Sequence, residues 1–484
     1  MIQSAYERGA QLGQFIGGAI RDGRGVPYDV IDPATEAVLA TVRGASEADV
    51  AEALAGAEAG MREWRALSPQ QRYRVLLRSA EELRARSAEI ARTLSMEQGK
   101  TLAEALAEVE GSAETFEFFA AEVLRINGSI LPARTAGAWQ TVTMRPIGVA
   151  ACFTPWNFPL LLSARKVAPA LAAGCACVLK PAEETIGAPL AMAECLAAAG
   201  VPAGAISVLH GDAPRISAEM IAARAVGVVT FTGSTGIGRI VARTAAEALK
   251  PCVLELGGHA PVVVLDDVDV EAAATAAVLG KTRNAGQVCT SPTRFFVARP
   301  VYNDFVEAFG AKLGAVRIGR GIAEGSQMGA LANARRLAAA ESLVEDATAR
   351  GARLVTGGTR EGNQGFLFRP TLLADVPADA RVLQEEPFCP IALAMPYDSV
   401  DEAVARANAV DVGLAGYVMG RDFARAQAVA QRLEVGQVAI NNFAVSHVEA
   451  PFGGLKESGY GFECSSEAVR TFMSRQYIHH VAAN

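Results

Sequence analysis

The spacing of hydrophobic and polar positions changes several times along the chain, and each change marks a different kind of element. Residues 15 to 42 alternate in short pieces, with Phe15-Ile16-Gly17-Gly18 and Tyr28-Asp29-Val30-Ile31-Asp32-Pro33 reading as strands and turns. At Ser46 the period lengthens. Ser46 with Asp49 three residues on has the form of an N-cap and its acidic N3 partner, predicting an alanine-rich helix to about Leu67. Pro69 suits the first turn of another helix. Helical spacing of Val75, Leu76, Leu83, Ile90 and Leu94 continues towards Leu124, and the Arg and Glu residues between them read as a solvated face. Between Arg125 and Arg145 this period breaks, and Thr141-Val142-Thr143-Met144 alternates as a strand does.

Beyond that point apolar runs alternate with helical stretches. Strands are expected at 147–153, 176–179, 205–209 and 226–231, with helices at about 160–173, 187–199 and 236–248. Such alternation argues a parallel sheet with crossover helices, in which ligands gather at the carboxyl ends of the strands. Residues 251–265 hold two more strands around Glu255-Leu256-Gly257-Gly258, and a second α/β region runs from about 268 to 455. Residues 470–481 read as a terminal strand that could pair with the one near 141, within the chain or across subunits. No low-complexity linker separates these regions, so they are expected to pack closely.

At 484 residues the chain is long enough for two or three domains, and 51% hydrophobic content excludes global disorder. A net charge of −7 without any basic cluster argues against nucleic acid as a partner. The uncharged stretch 146–164 contains three prolines, so a membrane helix is not expected there. The first 24 residues lack an unbroken apolar run of the kind a secretory leader needs. The eight cysteines are scattered without a C-x-x-C pair, and the five histidines do not cluster with them. That pattern predicts no metal site and suits a reducing, cytoplasmic setting.

Several short motifs could carry chemistry. In Thr154-Pro155-Trp156-Asn157-Phe158-Pro159, Asn157 is either a rigid amide donor for an oxyanion or a structural turn residue. Lys180 and Glu183, in Lys180-Pro181-Ala182-Glu183-Glu184, could hold ribose hydroxyls or simply be solvated. Gly233-Ser234-Thr235-Gly236-Ile237-Gly238 opens a helix, where backbone N–H groups bind phosphate. Its glycines run G-x-x-G-x-G, so the usual dinucleotide fingerprint is absent. Glu255 is a candidate general base if burial raises its pKa, or a solvated strand end. Cys289, within Arg283-Asn284-Ala285-Gly286-Gln287-Val288-Cys289-Thr290-Ser291-Pro292, is a thiol among turn-forming residues and a candidate nucleophile. Glu385-Glu386-Pro387-Phe388 and the glycine-rich loop from Pro451 to Gly459 name no function by themselves.

Taken together and in order, TPWNFP, LKPAEET, FTGSTGIG, ELGG, GQVC, EEPF and PFGGLKESG resemble the aldehyde dehydrogenase superfamily across essentially the whole chain. The resemblance implies an α/β fold with three parts. These are a Rossmann-like NAD-binding domain (1–124 and 147–257), an α/β catalytic domain (258–465) and a small β oligomerisation element (125–146 and 466–484). Homodimers or homotetramers would follow.

By position, Cys289 matches the nucleophile, Asn157 the oxyanion donor and Glu255 the base that activates water. Lys180 and Glu183 match contacts to the adenosine ribose. Trp156, Gly233, Ser234 and Gly238 fall in the cofactor-binding motifs, and Glu386 and Phe388 match the nicotinamide-ribose side. Glu183 implies NAD rather than NADP, because a carboxylate repels a 2′-phosphate. Gly236, His259 and Cys389 depart from the family's usual glutamate, lysine and glycine. Arg165 and Arg283 resemble the arginines of succinate-semialdehyde dehydrogenases that bind the substrate's distal carboxylate. Phe158, Ser446 and Phe452 are the other expected substrate contacts, with a hydrogen bond expected from Ser446 or His447. The expected reaction is therefore oxidation of an ω-carboxy semialdehyde. An unspecialised aldehyde dehydrogenase, or a cysteine hydrolase pairing Cys289 with His259 or His447, are the alternatives.

Overall fold

The computed structural model describes residues 2–481. The long first helix, Glu47–Ala66, begins as its sequence dictates. The Ser46 hydroxyl accepts from the Asp49 N–H at 3.2 Å, and the Asp49 carboxylate accepts from the Ser46 N–H at 2.8 Å. The same reciprocal cap opens Pro69–Ala85 at Ser68 and Leu102–Val123 at Thr101. The helical run from 69 to 124 is thus three helices, with Ser87–Gln98 in the middle ending at Gly99, whose φ of 96° suits glycine.

The charges in that run do not all form a solvated face. Glu97, Lys100, Glu108 and Glu122 are buried. Periodicity could not show this, because helices pack against this segment from two sides, Leu102–Val123 lying against both Pro69–Ala85 and Pro159–Ala173.

An eight-stranded sheet organises the first half of the chain. Its order is Ala19–Arg21, Gln14–Ile16, Ile206–Val208, Cys177–Lys180, Val149–Phe153, Val226–Thr232, Cys252–Glu255 and Gly459–Tyr460. The five strands from Ile206–Val208 to Cys252–Glu255 run parallel and are almost wholly buried. Helices Pro159–Ala173, Gly187–Ala199 and Thr235–Glu247 fall where their periodicity predicts. The helix Ala213–Ala222, capped by Asp212, was not foreseen. The last strand of this sheet comes from the distant loop at Gly459–Tyr460, inside the segment expected to belong wholly to the second α/β unit.

After Val149–Phe153 the chain builds outward on one side through Cys177–Lys180 and Ile206–Val208, then returns to the other side as Val226–Thr232. This reversal opens a crevice beyond Phe153 and Thr232, the place where open α/β sheets receive ligands.

A second, seven-stranded sheet holds Arg353–Thr356, Thr371–Ala374, Ile391–Tyr397, Arg294–Ala298, Pro261–Val264, Ala415–Met419 and Gln437–Ile440 in that order. It is parallel apart from its Arg353–Thr356 edge. A third sheet pairs Ala138–Pro146 with both Ser129–Leu131 and Met473–Val481, antiparallel and within one chain. The terminal strand starts at Met473 rather than 470, because the short helix Glu467–Thr471 precedes it. Among the described residues no helix is long and apolar enough to cross a membrane.

Candidate active site

The crevice holds a cavity of about 340 Å³. Its walls include Trp156, Asn157, Thr232, Gly233, Ser234, Gly257, Cys289, Glu386 and Phe388, drawn from five separate stretches of sequence. Two helix N-termini reach it. Ser234 caps Thr235–Glu247, and Asn333 caps Ala334–Ala349 while Arg335 and Arg336 line the same cavity. Together they offer N–H dipoles and guanidinium groups to a phosphorylated ligand. Trp156 and Phe388 meet edge to face, 5.5 Å between centroids, as an apolar wall. Glu386 accepts from the Gly258 N–H at 3.1 Å, and burial pushes its carboxyl up to about 7. A β-carbon at Gly257 would fall 2.5 Å from that carboxylate, so close backbone approach fixes this side of the site. A dinucleotide fits such a set of groups.

Lys180 and Glu183 lie outside this cavity. Lys180 ends the strand two places from Val226–Thr232, roughly 10 Å away at normal strand spacing. Its ammonium donates to the Pro181 carbonyl at 2.8 Å and to the Glu183 carboxylate. Glu183 faces a second, more open cavity of about 990 Å³ with Tyr28 and Arg215. Gly238 packs helix on sheet, since a β-carbon there would meet Leu256 at 2.4 Å. At Gly236 a β-carbon meets nothing within 4 Å, so the phosphate-binding turn does not require glycine at that point.

Cys289 is half-buried where two apolar groups meet. Phe158, Leu162 and Val288 form one, and Leu414, Phe452 and Cys464 form the other, with Cys289 packed against the latter. Burial, with the carboxylates Glu386 and Glu255 nearby, pushes its thiol up to about 12, and Arg165 and Arg283 pull the other way. The backbone before it is unusual. Asn284, Ala285 and Gly286 all have positive φ (47°, 52° and 71°), and a β-carbon at Gly286 would strike the Cys389 carbonyl at 2.3 Å. Gln287 ties the turn down, donating to the Asn284 carbonyl at 3.1 Å and accepting from the Ala332 N–H at 2.9 Å. On the far side Lys281 donates to Ser291 at 3.0 Å, and the Tyr417 hydroxyl donates to the Thr290 carbonyl at 2.6 Å.

The buried Asn157 donates one side-chain hydrogen to the Gln287 carbonyl at 3.0 Å, which turns its amide towards the Cys289 loop. Glu255 ends its strand buried, with neither carboxylate oxygen bonded. Burial and the neighbouring Glu463 hold it well above the usual carboxylate range, against the opposing pull of Lys166 and Arg165. The pair Lys166–Glu463 was not singled out from the sequence. Lys166 donates to Thr230 at 3.1 Å, to Thr232 at 2.7 Å and to Glu463, and of these Lys166, Thr230 and Glu463 are buried. The one available signal was a lysine, next to Arg165, inside the mostly apolar helix Pro159–Ala173.

The two arginines differ. Arg165 is buried, donates to the Ser446 hydroxyl at 2.8 Å and its carbonyl at 3.3 Å, and lies over the Phe452 ring at 5.4 Å. Its Nε has no partner. Among the described residues it makes no ion pair. Arg283 is exposed rather than buried, over the Phe158 ring at 5.2 Å. It lines another cavity of about 340 Å³ with Leu279, Val288, Thr290 and Phe443. Neither His259, buried and bonded to the Val382 carbonyl, nor the exposed His447 hydrogen-bonds Cys289 among the described residues. The site thus brings together a thiol between apolar walls, an amide, an unbonded carboxyl and a crevice that two helix N-termini reach, with no histidine bonded to the thiol among the described residues.

Comparison with known proteins identifies the family. The chain matches the aldehyde dehydrogenase family over residues 20–478, and it belongs to that family. It is 46% identical over 468 residues to a 4-(hydroxymethyl)benzenesulfonate dehydrogenase from Comamonas testosteroni, covering 96% of this chain and 98% of that one. A succinate semialdehyde dehydrogenase from Acinetobacter baylyi is 40% identical over 448 residues, 93% of each chain. Among solved structures, a succinate-semialdehyde dehydrogenase from Burkholderia pseudomallei superposes with a TM-score of 0.94 at 40% identity, over 97% of this chain and 98% of that one.

Proposed function

We propose that this enzyme oxidises an aldehyde carrying a distal anion to the carboxylic acid, with NAD as acceptor and succinate semialdehyde as first candidate substrate. The observation that carries this reading is Arg165. A guanidinium buried on an apolar wall beside Cys289, without a carboxylate partner, is unfavourable unless an anion meets it. Ser446 orients it, and Arg283 and Phe158 stand at the opposite wall.

In this mechanism Cys289 first gives up its proton to solvent, a loss that Arg165 and Arg283 favour against burial, and the thiolate then adds to the aldehyde carbon. The second hydrogen of the Asn157 amide and the Cys289 N–H hold the resulting oxyanion, each donor being worth on the order of 3 kcal/mol. Conversion of the thiohemiacetal to a thioester releases a hydride, and a nicotinamide cofactor, when bound, would supply the acceptor for it. Glu255 then takes a proton from water as that water attacks the thioester carbon. Collapse of the adduct expels the Cys289 thiolate and releases the acid. Trp156, Phe388 and Glu386 would hold the nicotinamide-ribose end, Gly233, Ser234 and Gly238 the pyrophosphate turn, and Lys180 and Glu183 the adenosine ribose. The Glu183 carboxylate supports NAD over NADP.

A second reading is favoured by the relative at 46% identity, whose name specifies an aryl sulfonate. The apolar cavity beside Arg283 supports room for an aromatic ring. Exposed Ile130, Trp139, Tyr477 and Val481 on the three-stranded sheet support assembly into a homodimer or homotetramer.

Cofactor reduction over a panel of succinate and glutarate semialdehydes, 4-formylbenzenesulfonate and neutral aldehydes of matched size tests the proposal. The anionic substrates should show the higher kcat/KM, and equal values for neutral and anionic members would reject a distal-anion site.

A further inference from the structure

We infer that Lys100, Glu104 and Glu108, three charged residues at four-residue spacing around the start of Leu102–Val123, are positioning residues for the Cys289 centre. The inference rests on the role proposed for Asn157. Lys100 and Glu108 are fully buried and paired at 2.5 Å, far from any solvated face. Lys100 also donates to the Asn157 carbonyl at 2.8 Å and lies over the Phe158 ring at 4.0 Å.

The other Glu108 oxygen accepts from the Leu160 and Leu161 N–H groups at 2.9 and 3.2 Å. Those are first-turn donors of the helix that carries Arg165. Phe158 stands at that helix's N-cap and makes no side-chain cap bond, so Glu108 supplies the cap from another helix.

Glu104 divides its carboxylate. One oxygen closes the Thr101 capping box, and the other accepts from the Asn284 N–H at 2.6 Å, at the head of the left-handed turn before Cys289. The Asn284 side chain completes the circuit by donating to the Asn157 carbonyl at 2.9 Å. One helix end therefore sets both walls of the site, the Asn157 amide on one side and the Arg283–Gly286 turn on the other. Non-charged groups could satisfy these donors separately, but only a rigid face can fix the two walls relative to each other.

The test is a cycle on the full chain comparing wild type, N157A, the double variant K100M/E108L and all three changes together. Removing both members of the pair avoids leaving one buried charge uncompensated. Rates are expressed per Cys289 thiol titrated, so loss of folded protein does not masquerade as lost positioning. K100M/E108L should lower kcat/KM for the aldehyde by about tenfold to a hundredfold, while KM for the cofactor stays within about twofold. In the N157A background the same change should cost less than about threefold, because the group it positions is gone.

A full multiplicative loss in both backgrounds, with N157A itself impaired, overturns the positioning role and leaves the Asn157 assignment standing. Wild-type activity in N157A overturns that assignment, and the inference with it. If K100M/E108L does not fold, E104A carries the same cycle, since it leaves the buried pair intact and releases the Asn284 turn together with the Thr101 capping box.

Discussion

Replacing Arg165 by methionine separates a substrate-binding cation from a structural one. In the folded chain Arg165 directs Nη2 at Ser446, leaving a buried Nε and the rest of the guanidinium without protein acceptors. A substrate anion meeting that free edge would gain a charge-assisted hydrogen bond worth about 1.5–3 kcal/mol. At roughly 1.4 kcal/mol per factor of ten, its loss lowers kcat/KM by about ten- to 150-fold. A neutral aldehyde of the same length never makes that bond, so its kcat/KM should change by less than about threefold. kcat/KM is the right quantity, because it reports steps through hydride transfer and excludes water attack, where Glu255 also feels Arg165. Stability supplies an internal control. Methionine keeps the apolar contact with Phe452 and removes a buried cation lacking an ionic partner, so Tm should hold or rise. Initial rates for succinate semialdehyde and butanal, with wild type and R165M side by side, decide the matter. Equal losses for both substrates, or a fall of several degrees in Tm, would show that Arg165 is a structural residue and refute the distal-anion argument.

Other consequences can be checked with the same protein. E255Q should retain a single-turnover burst of reduced cofactor while steady-state kcat falls about 10²- to 10⁴-fold, because only water attack needs the base; loss of the burst would place Glu255 earlier in the reaction. Glu255 must be ionised to act and its pKa is raised, so kcat limited by water attack should climb with pH through that raised pKa. R165M, by removing a group that holds the pKa down, should shift the climb to higher pH. With the thiol pushed up to about 12, alkylation of Cys289 in cofactor-free enzyme should rise about tenfold per pH unit from pH ~7 to ~10. A plateau near pH ~8, followed by mass spectrometry at that residue, would contradict the burial argument. E183S should raise kcat/KM for NADP relative to NAD by about five- to 150-fold, from roughly 1–3 kcal/mol of relieved repulsion at an effective dielectric near 20. An unchanged ratio would remove Glu183 from cofactor selection.

Much of the architecture was legible in local chemistry. Ser46 with Asp49, Pro69, and the β–α alternation from 147 to 248 are signals carried by a few adjacent residues, and the backbone follows them within a residue or two. The family was legible because its motifs keep their order. What local pattern could not reach was the environment of each charge. Lys100, Glu108 and Glu463 sit in sequence that reads as ordinary helix or loop surface, and Lys166 in a mostly apolar helix, yet all four are buried beside the site. Arg165 and Arg283 look equivalent as letters, and the fold buries one and exposes the other. Asn333 carries a readable helix-cap signature, but nothing local says that its helix points Arg335 and Arg336 into the crevice of the other sheet.

The sequence by itself thus determined the elements, the parallel sheet and the residues able to do chemistry, since these depend on neighbours within a turn or two. The tertiary structure alone decided which of them meet at Cys289, how far Glu255 is removed from water, and which arginine is buried. Burial and electrostatic pairing are sums over residues tens to hundreds of positions apart, and only the folded chain brings those residues together.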